Sequence, residues 1–236
     1  MTIKRILVLA NSTKHHPKSC VAGRELIDEG NGKTRWGGWI RPVSNHDEGA
    51  LDFAERRLTD AKDPNPLDII QLSLSTPENN PLQPENWLIQ PGQVWAKDSS
   101  YDARSLLPLV EEPESLWFDS SQKSDRAGAP VLQRSQNLQS LYLIRPEAFQ
   151  FQIRSKVWDG YAKKQRRGRF NYKGRHYDFA LTDPLIGQKY FPDYPRTQEC
   201  VIQPKYPHRI LLCVSLTPPF LDLHYKVVAT VFELPA

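Results

Sequence analysis

The chain has 236 residues, 39% hydrophobic and 25% charged, which excludes a disordered protein and supplies a core for one large all-β domain or two of about a hundred residues each. Twenty prolines against twelve glycines exclude long helices, and with them a coiled coil or a helical solenoid. The net charge of +4 is segregated: eight basic against three acidic residues over 1–44, five against fifteen over 45–120, and eighteen against nine over 121–236. Fields divided in this way suit a protein with one face that attracts an anion and another kept clear of it.

In chain order, Lys4-Arg5-Ile6-Leu7-Val8-Leu9-Ala10 reads as a buried strand, followed by a polar loop from Asn11 to Ser19. The apolar run Ile6 to Ala10 is shorter than the roughly seven to fifteen residues of a secretory segment or the roughly twenty of a membrane span. A cytoplasmic protein with no membrane partner is therefore expected. Three widely spaced cysteines, Cys20, Cys200 and Cys213, make no disulfide framework and fit a reducing compartment. Residues 36–43 read as a second strand whose Gly37 and Gly38 mark a bulge or a close approach to the backbone. One helical turn is expected at Leu51 to Leu58, then strands at Asp68 to Leu74 and Asn86 to Ile89.

Residues 101–140 read as a connector, with a short helix carrying Leu106, Leu107 and Val110 that ends before Pro113. The second half is more plainly β, with strands at Leu141 to Ile144, Ala148 to Ile153, Ile210 to Leu216 and Lys226 to Leu234. Between them, Arg169 to Phe179 has the pattern of a hairpin. A two-residue turn at Lys173-Gly174 pairs Phe170 with Tyr177 and Asn171 with His176. Phe170, Tyr172, Tyr177 and Phe179 then share one face, and Arg169, Asn171, Lys173 and His176 the other. Four or five short strands per half suit two small, partly closed barrels, at 1–100 and 141–236.

Several short stretches carry a resemblance. Arg5 to Ser12, Lys14, Cys20-Val21-Ala22-Gly23 and Gly38 to Val43, then Pro84-Glu85-Asn86-Trp87, Leu181-Thr182-Asp183-Pro184, Leu212 to Leu216 and Lys226 to Ala229 resemble the bacterial dual OB-containing domain family over essentially the whole chain. The resemblance implies a mainly β fold of two tandem OB-like barrels, and nucleic-acid recognition in bacterial conflict or phage defence. OB barrels also take oligosaccharides and proteins, so the fold alone leaves the ligand open.

The residues point the same way. Lys163, Lys164, Arg166, Arg167, Arg169, Lys173 and Arg175 put seven like charges within thirteen residues, among Trp158, Tyr161, Phe170, Tyr172 and Tyr177. Such a run becomes favourable when a polyanion neutralises it and releases counterions, and an aromatic such as Trp158 or Tyr161 can stack a base. Lys163, Lys164, Arg166 and Arg167 precede the hairpin, where a flexible loop could aim them together. The plain alternative is a solvated basic loop with core aromatics. A second cluster, Lys14, Arg24, Trp39 and Arg41, is a candidate ligand pocket, with Lys14 and Arg41 holding an anion and Trp39 stacking. Here the alternative is a buried Trp39 and a strand-edge Arg41.

Other chemistries find little support. His15, His16 and Cys20 lack the spacing of a tetrahedral metal site, as do Cys200 and His208, so no metal and no cofactor is expected. No GxSxG, HExxH or Walker A motif occurs, and Asp183 before Pro184 reads as a turn or cap. The expectation is a non-enzymatic module that binds nucleic acid, single strands foremost, through Lys163, Lys164, Arg166, Arg167, Arg169, Lys173, Trp158 and Tyr161. Its rivals are a protein-interaction or nucleotide-sensing module, with the acidic segment 45–120 recruiting a basic partner, and more remotely a metal-dependent nuclease.

Overall fold

The structure, a computed structural model, describes every residue except 16, 47, 48, 136, 137, 159, 160, 197 and 236, and of residues 14, 15 and 158 it describes the backbone alone. The chain divides into two compact units: Met1–Leu106 with Leu138–Ser140, and Leu107–Asn137 with Leu141–Ala236.

The first unit contains β1 (Thr2–His15), β2 (Lys18–Gly30), β3 (Lys33–Val43), the single turn α1 (Phe53–Arg56), β4 (Asp68–Pro77), β5 (Asn86–Ile89) and β6 (Ala96–Ser100). The sheet order is β1-β2-β3-β5-β4-β6, and a further β1–β4 ladder closes the first five strands into a barrel. β3 and β5 run parallel. Ile6, Val8, Val21, Ile40, Ile70, Leu72 and Trp95 fill its core. Ile6, Leu7, Val8 and Leu9 are all fully buried, so this part of β1 is covered on both faces, which is why its sequence is a continuous apolar run and not an alternation.

The expected loop from Asn11 to Ser19 is mostly strand. β1 continues to His15 and β2 begins at Lys18, because polar side chains find partners there: Asn11 is buried and donates to the Pro64 carbonyl at 2.7 Å. The expected irregularity at Gly37 and Gly38 is present. Arg24 pairs with Trp39 and Leu26 with Trp36, so β3 carries one residue more than β2 there, and a Cβ on Gly37 would lie 2.9 Å from Ile27 Cδ1.

The second unit holds β7 (Arg126–Gly128), α2 (Ala129–Gln133), β8 (Leu141–Ile144), β9 (Ala148–Trp158), β10 (Tyr161–Tyr172), β11 (Arg175–Leu181), α3 (Pro184–Tyr190), β12 (Cys200–Ile202), β13 (Ile210–Phe220) and β14 (Leu223–Glu233). Its strands run β12-β9-β10-β11-β14-β13-β8, with β7 on β14 and with β11 and β14 parallel. The stretch β9-β10-β11-β14-β13 repeats the order β1-β2-β3-β5-β4, down to the parallel pairing of its third and fifth strands. In each unit a short helix follows the third strand. The short helix expected after Asp102 is a 3-10 helix, Ala103–Leu109.

The hairpin has the expected register, Phe170 opposite Tyr177 and Asn171 opposite His176. Lys173 and Gly174 take φ of 48° and 70°, the paired positive values of a turn whose twist matches its strands. Phe170, Tyr172, Tyr177 and Phe179 are buried, with the Phe170 and Tyr177 rings stacked 5.3 Å apart. Asp183 is the cap of α3: one carboxylate oxygen accepts from the amides of Leu185 and Ile186, the other from that of Val231.

Candidate nucleic-acid interface

The basic run is not a flexible loop. Residues 161–172 form β10, paired along its whole length with β9, so alternation divides the cations between two faces. Gly168 and Phe170 turn to the core side with Phe149, Phe151 and Ile153 of β9. Lys163, Gln165, Arg167 and Arg169 turn away from it, opposite Lys156, Arg154, Gln152 and Gln150.

This division corrects several expected phosphate contacts. Arg166 lies on the core side against α3, its guanidinium 4.9 Å from the centre of the Tyr194 ring, and a Cβ on Gly187 would meet its Nη1 at 1.8 Å. Lys164 donates to the Arg196 carbonyl at 3.3 Å. Arg167 faces outward but is only 3% exposed; Nε donates to Asp178 Oδ1 at 2.7 Å and Nη2 to Asp125 Oδ2 at 2.9 Å. Lys173 donates to the Glu112 carbonyl at 2.9 Å, and Arg175 lies over the Phe118 ring at 4.1 Å. Lys163 and Tyr161 remain well exposed, Tyr161 at 75%. Arg169 is half-buried, its Nη2 3.3 Å from His176 Nε2. The Trp158 side chain lies outside the described residues; its backbone pairs with Tyr161 of β10.

The expected N-terminal pocket is corrected too. Trp39 and Arg41 are each 6% exposed, because the end of β3 is covered on both faces. Arg41 forms an ion pair with the equally buried Glu85 at 3.3 Å, and so has a carboxylate where an external anion was expected. Arg24 lies 5.9 Å over the Trp39 ring and donates to the Gly37 carbonyl at 3.0 Å. The side chain of Lys14 lies outside the described residues, as do those of His15 and His16. Among the described residues no group of three or more His, Cys, Asp or Glu is placed to hold a metal ion, and no helix is long and apolar enough to cross a membrane. Some acidic residues of the segment have internal partners: Asp63 pairs with the buried Arg56, the buried Asp68 with Lys97, and Glu55 accepts from Ser44.

The structure adds cations that the sequence reading passed over. An open cleft of about 540 Å³ lies between Lys123, Ser124, Asp125 and Arg126 on one side and Arg154, Ser155 and Lys156 of β9 on the other, with Arg167 and Asp178 linking the two. Arg154 Nη1 donates to Asp178 Oδ2 at 2.6 Å, and Arg126 lies over the Tyr225 ring at 5.2 Å. Burial, and then the nearby Arg126 cation, hold Lys156 below the ordinary lysine range. The signal for Arg154 and Lys156 was in the sequence, since Gln150, Gln152, Arg154 and Lys156 alternate with Phe149, Phe151, Ile153 and Ser155. The expected strand stopped at Ile153, where the apolar residues end, although the pairing continues.

Two barrel-order units in one chain have a counterpart among known families. The family model of the dual OB-containing domain matches residues 4–231. The chain belongs to that family. In OB barrels the face of the second and third strands carries the ligand, and in the second unit of this dual OB chain those strands are β10 and β11. The basic outer face of β9 and β10 thus includes a barrel position that OB folds use for binding.

No curated protein matches the chain. Among solved structures, it is similar to a chain of a replication protein A heterotrimer bound to ssDNA, with 9% identity and a TM-score of 0.33. That match covers 99% of this chain and 49% of the other, so the chain spans about half the length of its match. It is also similar to the tetrameric p202 HIN2, with 9% identity and a TM-score of 0.30, over 98% of this chain and 90% of the other.

Proposed function

We propose that the chain is a non-catalytic nucleic-acid-binding module, and that its second unit holds the phosphate backbone of a single strand on the outer face of β9 and β10. The observation that carries the reading is the placing of Arg154, Lys156, Lys163 and Arg169 on one face of a paired ribbon, whose other face sends Phe149, Phe151 and Phe170 into the core and engages Lys164 and Arg166 internally. Cations along one face suit a polyanion, because each neutralised phosphate releases condensed counterions. The exposed Tyr161 at the end of the same ribbon supports a single strand, whose unpaired bases offer a face to stack. A bacterial conflict or defence setting and a cytoplasmic location belong to the same proposal, the setting resting on the family resemblance.

A salt titration of binding to single- and double-stranded oligonucleotides tests it. Replacing Lys156 and Lys163 together by alanine should weaken binding to every sequence alike. It should also flatten the log–log salt slope by about 1.4, at roughly 0.7 per neutralised single-strand phosphate. An unchanged slope, or no binding at low salt, would overturn the reading.

A further inference from the structure

Resting on that reading, we propose that the cleft between residues 123–126 and β9 is a phosphate-monoester site, taking the phosphorylated end of a strand or the phosphate of a free nucleotide. Lys123 and Arg126 come from one segment, and Arg154 and Lys156 from another about thirty positions on, yet all four line one concavity. Nothing in the packing of the unit requires four like charges at one place. With Arg167 the cleft has five cations against two carboxylates, and both Asp125 and Asp178 are bound to Arg167. The surplus is positive even when every ion pair in the cleft is counted.

The remaining features suit a small dianion better than a passing diester. A diester offers a single charge per phosphate, whereas a monoester brings close to two charges and three acceptor oxygens to donors on both walls. Ser124 also lines the cleft beside the cations. The guanidinium of Arg126 is held in place over the Tyr225 ring, its Nε 3.5 Å from Asp125 Oδ1 without a hydrogen bond between them. The volume of about 540 Å³ lies in the range of small-molecule sites. Burial first, and the Arg126 cation second, hold Lys156 below the ordinary lysine range, and an entering anion offsets the second.

The test compares single-stranded oligonucleotides of one mixed sequence, about a dozen nucleotides long, with a 5′-phosphate, a 3′-phosphate or hydroxyls at both ends, and uses a nucleoside 5′-monophosphate as competitor. At about pH 7.5 one phosphorylated end should bind about tenfold tighter than the hydroxyl-ended strand, and the advantage should shrink at about pH 5.5, where the phosphate loses its second charge. Arg126→Ala and, separately, Lys123→Ala should each reduce the difference between phosphorylated and hydroxyl-ended strands. Displacement by the monophosphate alone assigns the site to nucleotides as well as to strand ends. Equal binding of all three strands overturns this inference and leaves the proposed function standing. Binding of the monophosphate without any strand keeps the cleft site and overturns the proposed function; binding of neither overturns both.

Discussion

Arg167 and Asp178 are diagonal neighbours across the β10–β11 ladder and are joined at two points, Nε to the carboxylate at 2.7 Å and Nη2 to the backbone carbonyl of Asp178. The same Nη2 reaches Asp125, so one nearly buried guanidinium ties β10, β11 and the segment before β7 together. An arginine expected among the phosphate contacts is thereby an internal fastening.

Arg167→Ala should therefore destabilise the second unit by about 3 kcal/mol, because it takes a nearly buried cation from two partly buried carboxylates, although Asp178 keeps Arg154 and Asp125 keeps Arg126. Arg167→Lys should recover only part of the loss, since an ammonium cannot reproduce the fork. Denaturant unfolding followed by tryptophan fluorescence measures both. By contrast, Lys163→Ala should stay within about 0.5 kcal/mol of the parent.

Tyr161 separates stacking from packing. It is 75% exposed, so Tyr161→Ala should leave the unfolding midpoint almost unmoved. If its ring stacks a base, affinity for a single strand falls by roughly 1–3 kcal/mol while the salt slope stays the same. Anisotropy titrations at several salt concentrations give both quantities, and a changed slope with unchanged affinity would contradict the assignment.

Lys226 makes stability depend on pH in the alkaline range. It is 2% exposed, and burial pulls it from 10.5 down to about 8 in spite of the opposing pull of Asp119 and Asp125. Below about pH 8 the amine is protonated folded and unfolded, and its burial cost is present in full. Between about pH 8 and 10.5 the unfolded chain binds more protons, so stability from this group rises with pH. Lys226→Met should remove that rise and raise stability at neutral pH, as read from urea midpoints across pH 7–10.

Asp183 fixes the start of α3 and a strand at once. Asp183→Ala leaves the amides of Leu185, Ile186 and Val231 without their acceptor and should cost roughly 2–4 kcal/mol. Asp183→Asn, which keeps one carbonyl oxygen, should cost less. Thermal unfolding of the two variants side by side orders them, and equal losses would show that one carbonyl oxygen cannot stand in for the carboxylate.

The features legible in the sequence are those with local causes. The Lys173-Gly174 turn, the Phe170–Tyr177 register and the aromatic face of the hairpin follow from one glycine in a turn and a period of two. The cap role of Asp183 follows from its place before Pro184. β9 outruns its sequence signal, because strand signals depend on apolar residues while the ladder continues through Arg154 and Lys156 on the pairing offered by β10.

The gathering of positive charge in the second half, the mainly β character and the entry of the hairpin aromatics into the core all follow from local patterns along the chain. Which cations are available to a ligand depends instead on contacts made by folding. Arg41, Arg166 and Arg167 look no different along the chain from Lys163, yet their partners, Glu85, Tyr194, Asp125 and Asp178, lie between 11 and 44 residues away. A charge is made available or internal by the carboxylates and rings that folding brings beside it, and composition carries no record of that proximity.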